Sequence, residues 1–426
     1  MKILLIPGTT LIAKEMRNSL IGMKDIEVYG AGFDLSHPDC KEYEEYFFIR
    51  EGFSSENWSL IENAVIDYEI DLIFPAHDQY LYDMRDLSEI AGARIVINNK
   101  FAIETISHKS KTYDFFKEYL PTPEIIENID EIDPEVMIFI KPDRGQGGCG
   151  AQRINKEGLD DFLHNSPVEL RTLVISEYIP GLEYTVDCFS NTDSDVMYCS
   201  PRLRVKVENG VAVETRISEL EIAEKFAATI SSKLKIIGPW FFQLKAASNG
   251  EFKLLEVGLR IAGASGINRL RGINLMQLQI FQELGFDVSV PTVINYPEIG
   301  SDNIDLDFEF EEVFLDFDDT MTSNRNATST LMDFISECEK HNKPVSIVSR
   351  HSGDLLAEVN RRFPAIKFKH IEHITDGGEK FSKMPKNISI LFLDDSYSER
   401  RRATSESEGK ILALDPSVLN LLVRSF

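Results

Sequence analysis

The sequence predicts a multidomain protein that combines α/β and α+β architecture, and three observations indicate it. The chain has 426 residues, which is too many for one ordinary hydrophobic core. Short apolar runs alternate with helical stretches near both ends, a pattern typical of α/β folds. Between them, from Phe101 to about Pro297, strands and loops rich in Gly and Pro dominate. We therefore expect domains at residues 1–98, 99–297 and 313–426.

Composition narrows the class of protein. Lys and Arg number 45 against 70 Asp and Glu, a net charge of -25 that repels phosphate backbones and anionic lipid surfaces. The five cysteines form no C-x-x-C pair, which argues against a disulfide framework and a zinc site. The N-terminal apolar run is too short for a signal peptide, and no stretch approaches the roughly 18 apolar residues of a transmembrane helix. We expect a soluble cytoplasmic protein whose partners include neither nucleic acid nor membrane.

The first 98 residues predict a doubly wound sheet. The predicted elements are a strand at Lys2 to Ile6, a helix at about Leu11 to Ile21, and further strands at Ile26 to Tyr29, Asp71 to Ala76 and Arg94 to Asn98. His77 and Asp78 directly follow one of these strands. Two alternatives stay open for them. They line a cleft at the strand end, or Asp78 caps the start of a helix.

A glycine-rich segment, KPDRGQGGCG at residues 141–150, has the G-x-G-x-x-G spacing that several nucleotide sites share. A dinucleotide site needs a helix directly after the glycines, whereas Ala151 to Asn155 is followed by Lys156-Glu157-Gly158, which we interpret as a turn. The sequence also lacks the Gly-Lys-Ser/Thr end of a Walker loop and the downstream signatures of a protein kinase. These three kinds of site are therefore disfavoured.

The context of the glycines favours a phosphate lid instead. An apolar strand, Val136 to Ile140, ends in Lys141-Pro142, and the glycines follow. A flexible hairpin after such a strand can close its backbone amides on phosphates while the Lys supplies a point charge. A Gly-rich surface hairpin is the alternative.

Two later segments carry polar residues on predicted strands. Ile175 to Asp187 joins an apolar strand to a short hinge and a second strand. Phe252 to Gly263 is a strand that pairs through the Asn249-Gly250 turn with the strand before it. The polar residues on these elements are, in chain order, Glu177, Glu183, Gln243, Glu256 and Arg260.

The chain resembles the ATP-grasp superfamily in the order of three features. These are Lys-Pro with a glycine loop, then hinge glutamates, then a two-stranded element that carries Gln, Glu and Arg. Within it the sequence is similar to the carbamoyl-phosphate-synthase-like and amino-acid-ligase branch. The resemblance covers residues 1–297. It implies a pre-ATP-grasp Rossmann-like domain at 1–98 and an ATP-grasp domain at 99–297, with a lid subdomain at about 118–185.

The resemblance also implies roles for individual residues. Arg260 would stabilise charge on the transferring phosphoryl group. Arg202 and Arg204 alternate on one predicted strand, where one face could meet substrate or phosphate anions; an exposed strand face is the alternative. Gln243 and Glu256 would be the oxygen ligands of Mg²⁺, with Mn²⁺ as an alternative cation. The first phosphate-binding lysine of the family corresponds to Lys109, with Lys111 as the alternative. The implied ATP-binding residues are Lys109, Lys141, Gly145, Gly147, Gly148, Glu177, Tyr178, Ile179 and Glu183.

One position departs from the family pattern. The metal-binding strand of the family reads Glu-x-Asn-x-Arg, whereas this sequence has Gly258 between Glu256 and Arg260. Because glycine has no side chain to coordinate a second Mg²⁺, either Asn268 or water replaces the amide, or the activity is altered. The activity that the resemblance implies is a carboxylate-amine ligase that forms an acyl phosphate from ATP; a nucleotide-binding sensor without turnover is the rival that Gly258 suggests.

The C-terminal unit opens with the segment EEVFLDFDDTMT. Its strand, Val313 to Leu315, ends in Asp316, followed by Asp318 and Thr320. This i, i+2 spacing can present two carboxylates to one phosphate, one as nucleophile and one as general acid/base. The D-x-D-x-T pattern is similar to the first motif of the haloacid dehalogenase-like (HAD) phosphatases, and a chance strand end with two acids is the alternative.

That resemblance assigns further residues. Ser349 closes a strand as the second motif does, and Lys380, with Lys383 as the alternative, would balance the phosphate charge. Mg²⁺ would be held by Asp316, the Asp318 backbone carbonyl and Asp394 or Asp395. The short span from Asp316 to Ser349 leaves no room for a large cap insertion, so the implied domain at 313–426 is capless, with an open site.

The remaining stretch, residues 298–312, contains the acidic segment GSDNIDLDFEFEE (Gly300 to Glu312) and is expected to be a solvated linker, because like charges repel and little apolar surface is available to bury. The two implied activities define the expected partners: a small-molecule carboxylate, an amine and a phosphorylated small molecule. A homodimer is an open alternative. The C-terminal unit either dephosphorylates an intermediate or by-product of the ligase pathway, or binds a phosphorylated ligand and regulates the ligase.

Overall fold

The computed structural model describes residues 1–50, 55–145, 150–165, 170–208, 210–322 and 325–426. These residues form two compact units. The first unit comprises Met1–Lys14 and Glu27–Ala264, and the second comprises Glu15–Ile26 and Ser265–Phe426. The boundary that we predicted at residue 297 therefore falls inside the second unit.

Strands and helices alternate along much of the chain. The strands are β1 (Lys2–Ile6), β2 (Glu27–Gly32), β3 (Tyr46–Phe48), β4 (Leu72–Pro75), β5 (Glu89–Ile90), β6 (Ala93–Ile95), β7 (Ile138–Pro142), β8 (Gln152–Ile154), β9 (Leu173–Glu177), β10 (Glu183–Ser190), β11 (Val196–Glu208), β12 (Val211–Ile217), β13 (Gly238–Ala246), β14 (Phe252–Gly258), β15 (Glu298–Ile299), β16 (Ile304–Asp305), β17 (Glu312–Leu315), β18 (Val345–Ser349), β19 (Ile371–His373), β20 (Ile390–Leu393) and β21 (Ile411–Leu414). The α-helices are α1 (Leu11–Leu20), α2 (Ser55–Tyr68), α3 (Asp78–Met84), α4 (Lys100–Ile106), α5 (Lys109–Phe116), α6 (Lys156–Asn165), α7 (Ile222–Leu234), α8 (Leu275–Glu283), α9 (Arg325–Lys340), α10 (Leu355–Arg362), α11 (Tyr397–Glu406) and α12 (Leu419–Leu422).

The first unit begins with a sheet in the strand order β3-β2-β1-β4-β6-β5. Its neighbours pair in parallel except β5 and β6, which form an antiparallel edge. The central strand β1 is fully buried from Ile3 to Ile6, which fits a parallel sheet whose two faces are both covered. The α/β sheet predicted for these residues is therefore present, and α3 begins where β4 ends.

A second, antiparallel sheet of this unit has the order β14-β13-β10-β11-β12. On β13 the side chains alternate between two faces. Trp240, Phe242 and Leu244 are fully buried in a hydrophobic core, whereas Gln243 and Lys245 line a cavity on the opposite face. This period of two is the ordinary consequence of the pleat, and it brings polar side chains to one side of a rigid strand.

A third, small sheet has the order β8-β7-β9 and is antiparallel. It has its own core with Ile138, Ile140, Leu159 and Ile175. One expectation is corrected here. Lys156-Glu157-Gly158 is the first turn of α6, not an isolated turn, because Asn155 accepts a hydrogen bond from the Gly158 amide at 3.0 Å and so caps the helix.

The second unit contains a parallel sheet in the order β19-β18-β17-β20-β21. Strands β17, β18, β20 and β21 are buried along their full length, as near-continuous apolar runs of parallel sheets are. Helices of this unit cover the sheet with Leu331, Phe334 and Val359, among others, in the main core. Among the described residues, no helix is both long and apolar enough to span a bilayer.

The acidic stretch at 298–312 is not a solvated linker. Ile304, Leu306 and Phe310 are at most 7% exposed and belong to the core of the second unit. Strands β15 and β16 pair with each other in this stretch. The expectation failed because apolar residues alternate with the acids, so that the chain buries one set while most of the acidic side chains stay at the surface.

Candidate active sites

A cavity of about 540 Å³ lies in the first unit. It is bounded by β7 and the chain after β9, and by strands of the large antiparallel sheet. Gly147 and Gly148 lie outside the described residues. The predicted site residues that line the cavity are Lys109, Lys141, Gly145, Glu177, Tyr178, Ile179, Glu183, Arg202, Arg204, Gln243, Glu256 and Arg260.

Two lysines supply positive charge to this cavity. Lys141, near the end of β7, donates a hydrogen bond of 2.6 Å from Nζ to the Tyr113 hydroxyl. Burial, together with the nearby charge of Lys109, lowers the pKa of Lys141 to about 8. Lys109 Nζ donates to the Gly145 carbonyl at 2.8 Å. Lys111 is exposed and is not a lining residue, so the structure favours Lys109 of the two alternatives.

The last residue of β9 brings a carboxylate to the cavity wall, and the chain after it brings a polar backbone. The Glu177 amide donates to the Glu124 carbonyl at 3.0 Å, while the Glu177 carboxylate accepts from the Glu124 amide at 2.8 Å and contacts Lys253. Tyr178 packs its ring under Arg153 at 4.3 Å. These contacts fix the segment that follows the strand.

Glu183, at the start of β10, lies between two cations. Its carboxylate contacts Arg204 Nε at 2.9 Å and Lys245 Nζ at 3.4 Å. Lys245 was not singled out in the sequence. It lies two residues after Gln243 on β13, so the period-two pattern of that strand would have placed it on the same face.

Arg202 and Arg204 both line the cavity, as their alternation predicts, but each guanidinium already has a carboxylate partner. Arg202 is buried and donates from Nε to Asp187 at 2.8 Å. Arg204 pairs with Glu183 and donates to the Gly210 carbonyl at 2.7 Å. Their charges are therefore largely compensated within the protein.

Gln243 and Glu256 are directly opposite each other on the antiparallel strands β13 and β14. Such cross-strand partners have Cβ atoms within about 5.5 Å. Burial raises the pKa of Glu256 above its ordinary value, although Lys109, Arg260 and Lys141 oppose the shift. An amide oxygen and a carboxylate oxygen at this spacing are a donor set that suits a hard cation such as Mg²⁺.

Arg260 is held by a residue from another element of the same unit. Its Nε and Nη2 donate to the two oxygens of Asp78, each at 2.7 Å. Burial opposes ionisation of Asp78, but the charge and hydrogen bonds of Arg260 outweigh this effect, so that the pKa of Asp78 is lowered. The helix α3 is capped by His77, whose Nδ1 accepts from the Gln79 amide. Asp78 is thus not the cap; it is not itself a lining residue of the cavity but pairs with Arg260, which is.

The second unit brings a different set of residues together at the carboxyl ends of parallel strands. Asp316 follows β17, Ser349 ends β18 and Asp394 follows β20, and these strands are neighbours in the sheet. One carboxylate oxygen each of Asp316, Asp394 and Asp395 lies within 4.8 Å of the others. Three such oxygens are ligands that Mg²⁺ prefers.

Lys380 neutralises part of this acidic cluster. Its Nζ lies 2.7 Å from Asp316 Oδ1 and 2.8 Å from Asp394 Oδ2. Burial and the neighbouring Asp394 raise the pKa of Asp316 to about 7 despite this contact. Lys383, the alternative, is 41% exposed and 3.9 Å from Asp376, so the structure favours Lys380.

Asp318 and Thr320 have separate surroundings. The Asp318 carboxylate is outside the cluster of three acids; both its oxygens lie 3.0 Å from His351 Nδ1. Thr320 Oγ1 accepts from the Asp395 amide at 3.0 Å and so ties the loop after β17 to the loop after β20. His351 was not predicted, because its link to Asp318 spans two strand ends and no local motif marks it.

Comparisons with known proteins bear on the fold of the chain. A family model described as "ATP-grasp in the biosynthetic pathway with Ter operon" matches residues 169–299. The biotin carboxylase domain of 2-oxoglutarate carboxylase from Hydrogenobacter thermophilus, solved with MgADP, ADP and bicarbonate, superposes with a TM-score of 0.59, at 15% identity, over 70% of this chain and 73% of that chain. No curated protein gives a significant match.

Two further solved structures are similar. L-amino acid ligase from Bacillus licheniformis gives a TM-score of 0.55 at 16% identity, covering 70% of this chain and 78% of that one. N5-carboxyaminoimidazole synthetase from Staphylococcus aureus, in complex with ADP, gives 0.56 at 14% identity, covering 70% and 81%. The chain contains an ATP-grasp-like fold.

Several of the residues that line the cavity of the first unit, such as Glu183, Gln243 and Glu256, fall within the matched residues 169–299, whereas Lys109 and Lys141 precede them. The cluster at Asp316 lies beyond the matched range.

The Phe241 ring explains why glycine stands at position 258, where the sequence departs from the family pattern. A Cβ atom at Gly258 would lie 2.2 Å from Cε1 of Phe241, so the aromatic ring fills the space that a side chain would need. Phe241 in turn packs under the Arg260 guanidinium at 5.2 Å. Asn268, the other amide considered, is fully buried and donates to the Ser265 carbonyl at 3.0 Å. Gln243 and Glu256 thus remain the side-chain donors predicted for a cation, and water remains the alternative to the missing amide.

Proposed function

We propose that the first unit is an ATP-dependent carboxylate-amine ligase that acts through an acyl phosphate. The observation that carries the proposal is the meeting of Lys109 and Lys141 with the Gln243-Glu256 pair in one cavity. Two positive charges beside a hard-cation donor set suit the polyphosphate of a nucleotide. The similar structures solved with ADP support a nucleotide in this position.

Each group has a role in binding. Lys109 and Lys141 contact the phosphates. Glu177 and the backbone of Tyr178 and Ile179 hold the adenine ring. Glu183 accepts hydrogen bonds from the ribose hydroxyls. To do so it gives up its contacts with Arg204 and Lys245.

The chemistry is phosphoryl transfer followed by acyl transfer. A carboxylate oxygen of the substrate attacks the terminal phosphorus of ATP, the bond to ADP breaks, and Arg260 stabilises the charge on the transferring group. The amine then attacks the acyl carbon and inorganic phosphate leaves. Mg²⁺, or Mn²⁺ as an alternative, bound by Gln243 and Glu256 would neutralise phosphate charge. The protein supplies positioning and electrostatics in place of a covalent side chain.

For the second unit we propose a Mg²⁺-dependent phosphatase of the HAD type. Asp316, Lys380 and Asp394 meet at neighbouring strand ends, and this supports attack by Asp316 on a phosphoryl group with Asp318 as the general acid/base. Ser349, at the end of β18, would contact the phosphoryl oxygens. Asp316, Asp394, Asp395 and the Asp318 carbonyl would hold the cation. Because the segment from β17 to β18 is short and occupied mainly by α9, the proposed site would have no cap of its own. It would act on a phosphorylated small molecule, either a bulky one or one that a neighbouring domain covers.

The two activities would serve one pathway, with ligation and dephosphorylation acting on related intermediates. Two other functions remain as candidates. A C-terminal unit that binds a phosphorylated ligand without turnover would regulate the ligase. Phe241, by excluding a side chain at position 258, favours a second candidate, a nucleotide sensor with one cation and no ligation. A homodimer is an open alternative; the biotin carboxylase domain from Hydrogenobacter thermophilus was solved as a dimer.

The ligase proposal is tested by ADP and phosphate release. The full chain is incubated with MgATP and a matrix of carboxylates and amines, and we expect release only when a productive pair is present. ATP binding without release for any pair would instead support the sensor.

The phosphatase proposal is tested with an aryl phosphate ester. We expect Asp316→Asn to abolish phosphate release while ATP-dependent ligation persists. Turnover that survives this substitution would exclude Asp316 as the nucleophile.

A further inference from the structure

The loop after β18 brings an imidazole to the residue proposed as general acid/base. His351 Nδ1 lies 3.0 Å from both carboxylate oxygens of Asp318. The Asp318 side chain is 47% exposed, so without this partner it would populate several rotamers. A bifurcated hydrogen bond from one N–H to both oxygens restricts the carboxylate to one orientation.

His351 is itself held in place from several directions. Its ring packs edge-on against Phe317, with centroids 5.2 Å apart, and its backbone carbonyl accepts a hydrogen bond of 2.8 Å from His373 Nε2. A Cβ atom at Gly353 would lie 3.2 Å from the imidazole Nε2, so the glycine leaves the ring its space. The side chain is only 16% exposed. His351 is therefore a preorganised donor and not a mobile surface histidine.

We propose that His351 is a positioning residue that orients the Asp318 carboxyl group toward the leaving oxygen of a phosphate ester. This inference rests on the phosphatase reaction proposed above. In that reaction an Asp316 oxygen attacks phosphorus, the ester P–O bond breaks, and Asp318 gives its proton to the departing oxygen to form the alcohol. Water then attacks phosphorus, returns a proton to Asp318 and releases phosphate from Asp316. His351 acts through Asp318 alone.

This role predicts a dependence on the leaving group. A dinitrophenolate leaves without a proton, whereas a phenolate or alkoxide leaves more easily when a positioned acid protonates it; such assistance contributes typically 10²–10⁴-fold. Removal of His351 misplaces the acid without removing it. We therefore expect His351→Phe to slow hydrolysis of phenyl phosphate by about 10-fold to 100-fold and to leave 2,4-dinitrophenyl phosphate much less affected.

The experiment measures phosphate release by the full chain with Mg²⁺ and these two esters. The variants are Asp316→Asn, Asp318→Asn, His351→Phe and His351→Asn, with His341→Phe as the matched control, since His341 directly follows α9 and stacks on Phe426. Because the Asn amide nitrogen can replace Nδ1 as a donor, His351→Asn should recover most of the rate with phenyl phosphate. Asp318→Asn should show the same ester preference as His351→Phe, and His341→Phe should match the wild type.

The outcomes separate the inference from the function on which it rests. Equal slowing of both esters by His351→Phe, or no recovery with His351→Asn, overturns the positioning role while leaving the phosphatase intact. Retained turnover of the dinitrophenyl ester shows that the variant is folded. If the wild type releases no more phosphate than Asp316→Asn from either ester, the phosphatase itself is refuted, and the role of His351 falls with it.

Discussion

Arg260 donates two parallel hydrogen bonds of 2.7 Å to Asp78. They join the chain just after β14 to the first turn of α3, although the two residues are 182 positions apart in the sequence. This fork-to-carboxylate geometry fixes the guanidinium plane. Arg260 lines the cavity of the first unit, so Asp78 determines where the charge of the Arg260 guanidinium lies.

We expect Asp78→Asn to lower the rate of ADP release with a productive substrate pair by about 100-fold, the scale of losing one aligned electrostatic donor in a transition state. The affinity for MgATP should change little, because Arg260 acts on the transferring group. Arg260→Lys, which keeps the charge but loses the fork, should resemble Asp78→Asn. An undiminished rate in Asp78→Asn would show that Arg260 needs no positioning.

The lowered pKa of Lys141, about 8, predicts pH-dependent nucleotide binding. Above pH 8 the amine is largely neutral in the free protein, whereas the phosphates of a bound nucleotide favour the ammonium form. Binding should therefore take up a proton, and MgATP affinity should fall as the pH rises from 7 to 9. Calorimetric titrations in buffers of different ionisation enthalpy measure this uptake. Lys141→Arg, which stays charged, should abolish it, and equal uptake in that variant would assign the proton elsewhere.

Gly258 and Phe241 predict a steric test of the metal strand. Gly258→Asn alone should destabilise the protein by about 1–3 kcal/mol, because its Cβ would overlap the Phe241 ring. The double variant with Phe241→Leu should recover much of the loss and offer a further oxygen ligand to a cation.

Thermal melting with and without Mn²⁺ measures both effects. Gly263→Ala is the control, since its Cβ would meet its nearest neighbour at 3.6 Å. If Gly258→Asn melts like the wild type, the ring does not exclude a side chain.

The buried pair of Arg202 and Asp187 predicts a large loss of stability. Both side chains are at most 2% exposed, and Asp187→Asn would leave the guanidinium without its counter-charge at a cost of about 3–5 kcal/mol. Glu208→Gln, which breaks the exposed pair with Lys206, should have a much smaller effect. Denaturant unfolding compares the two. Similar midpoints for both variants would mean that water reaches Arg202.

The sequence predicted well those features that depend on local order. A strand ending in Lys141-Pro142 was expected, as were Asp316 and Asp394 directly after strands, because an apolar run in the sequence stops at each of these polar residues. The acidic stretch was misjudged, since its charges concealed the alternation that buries Ile304, Leu306 and Phe310.

Features that depend on distant packing were not predicted. Nothing near Gly258 in the sequence indicates that Phe241 fills its side-chain space, and the partner of Arg260 lies in an earlier strand-helix connection. His351 likewise meets Asp318 only because two neighbouring parallel strands end side by side. These contacts arise from the fold, and a single sequence carries no local sign of them.

The central claim is that the cavity around Lys141 binds MgATP. Isothermal titration of the full chain with MgATP measures this directly. We predict one nucleotide per chain, with affinity lost in Lys141→Ala and unchanged in Asp316→Asn. An absence of binding, or binding that is insensitive to Lys141 and lost with Asp316, would contradict the claim.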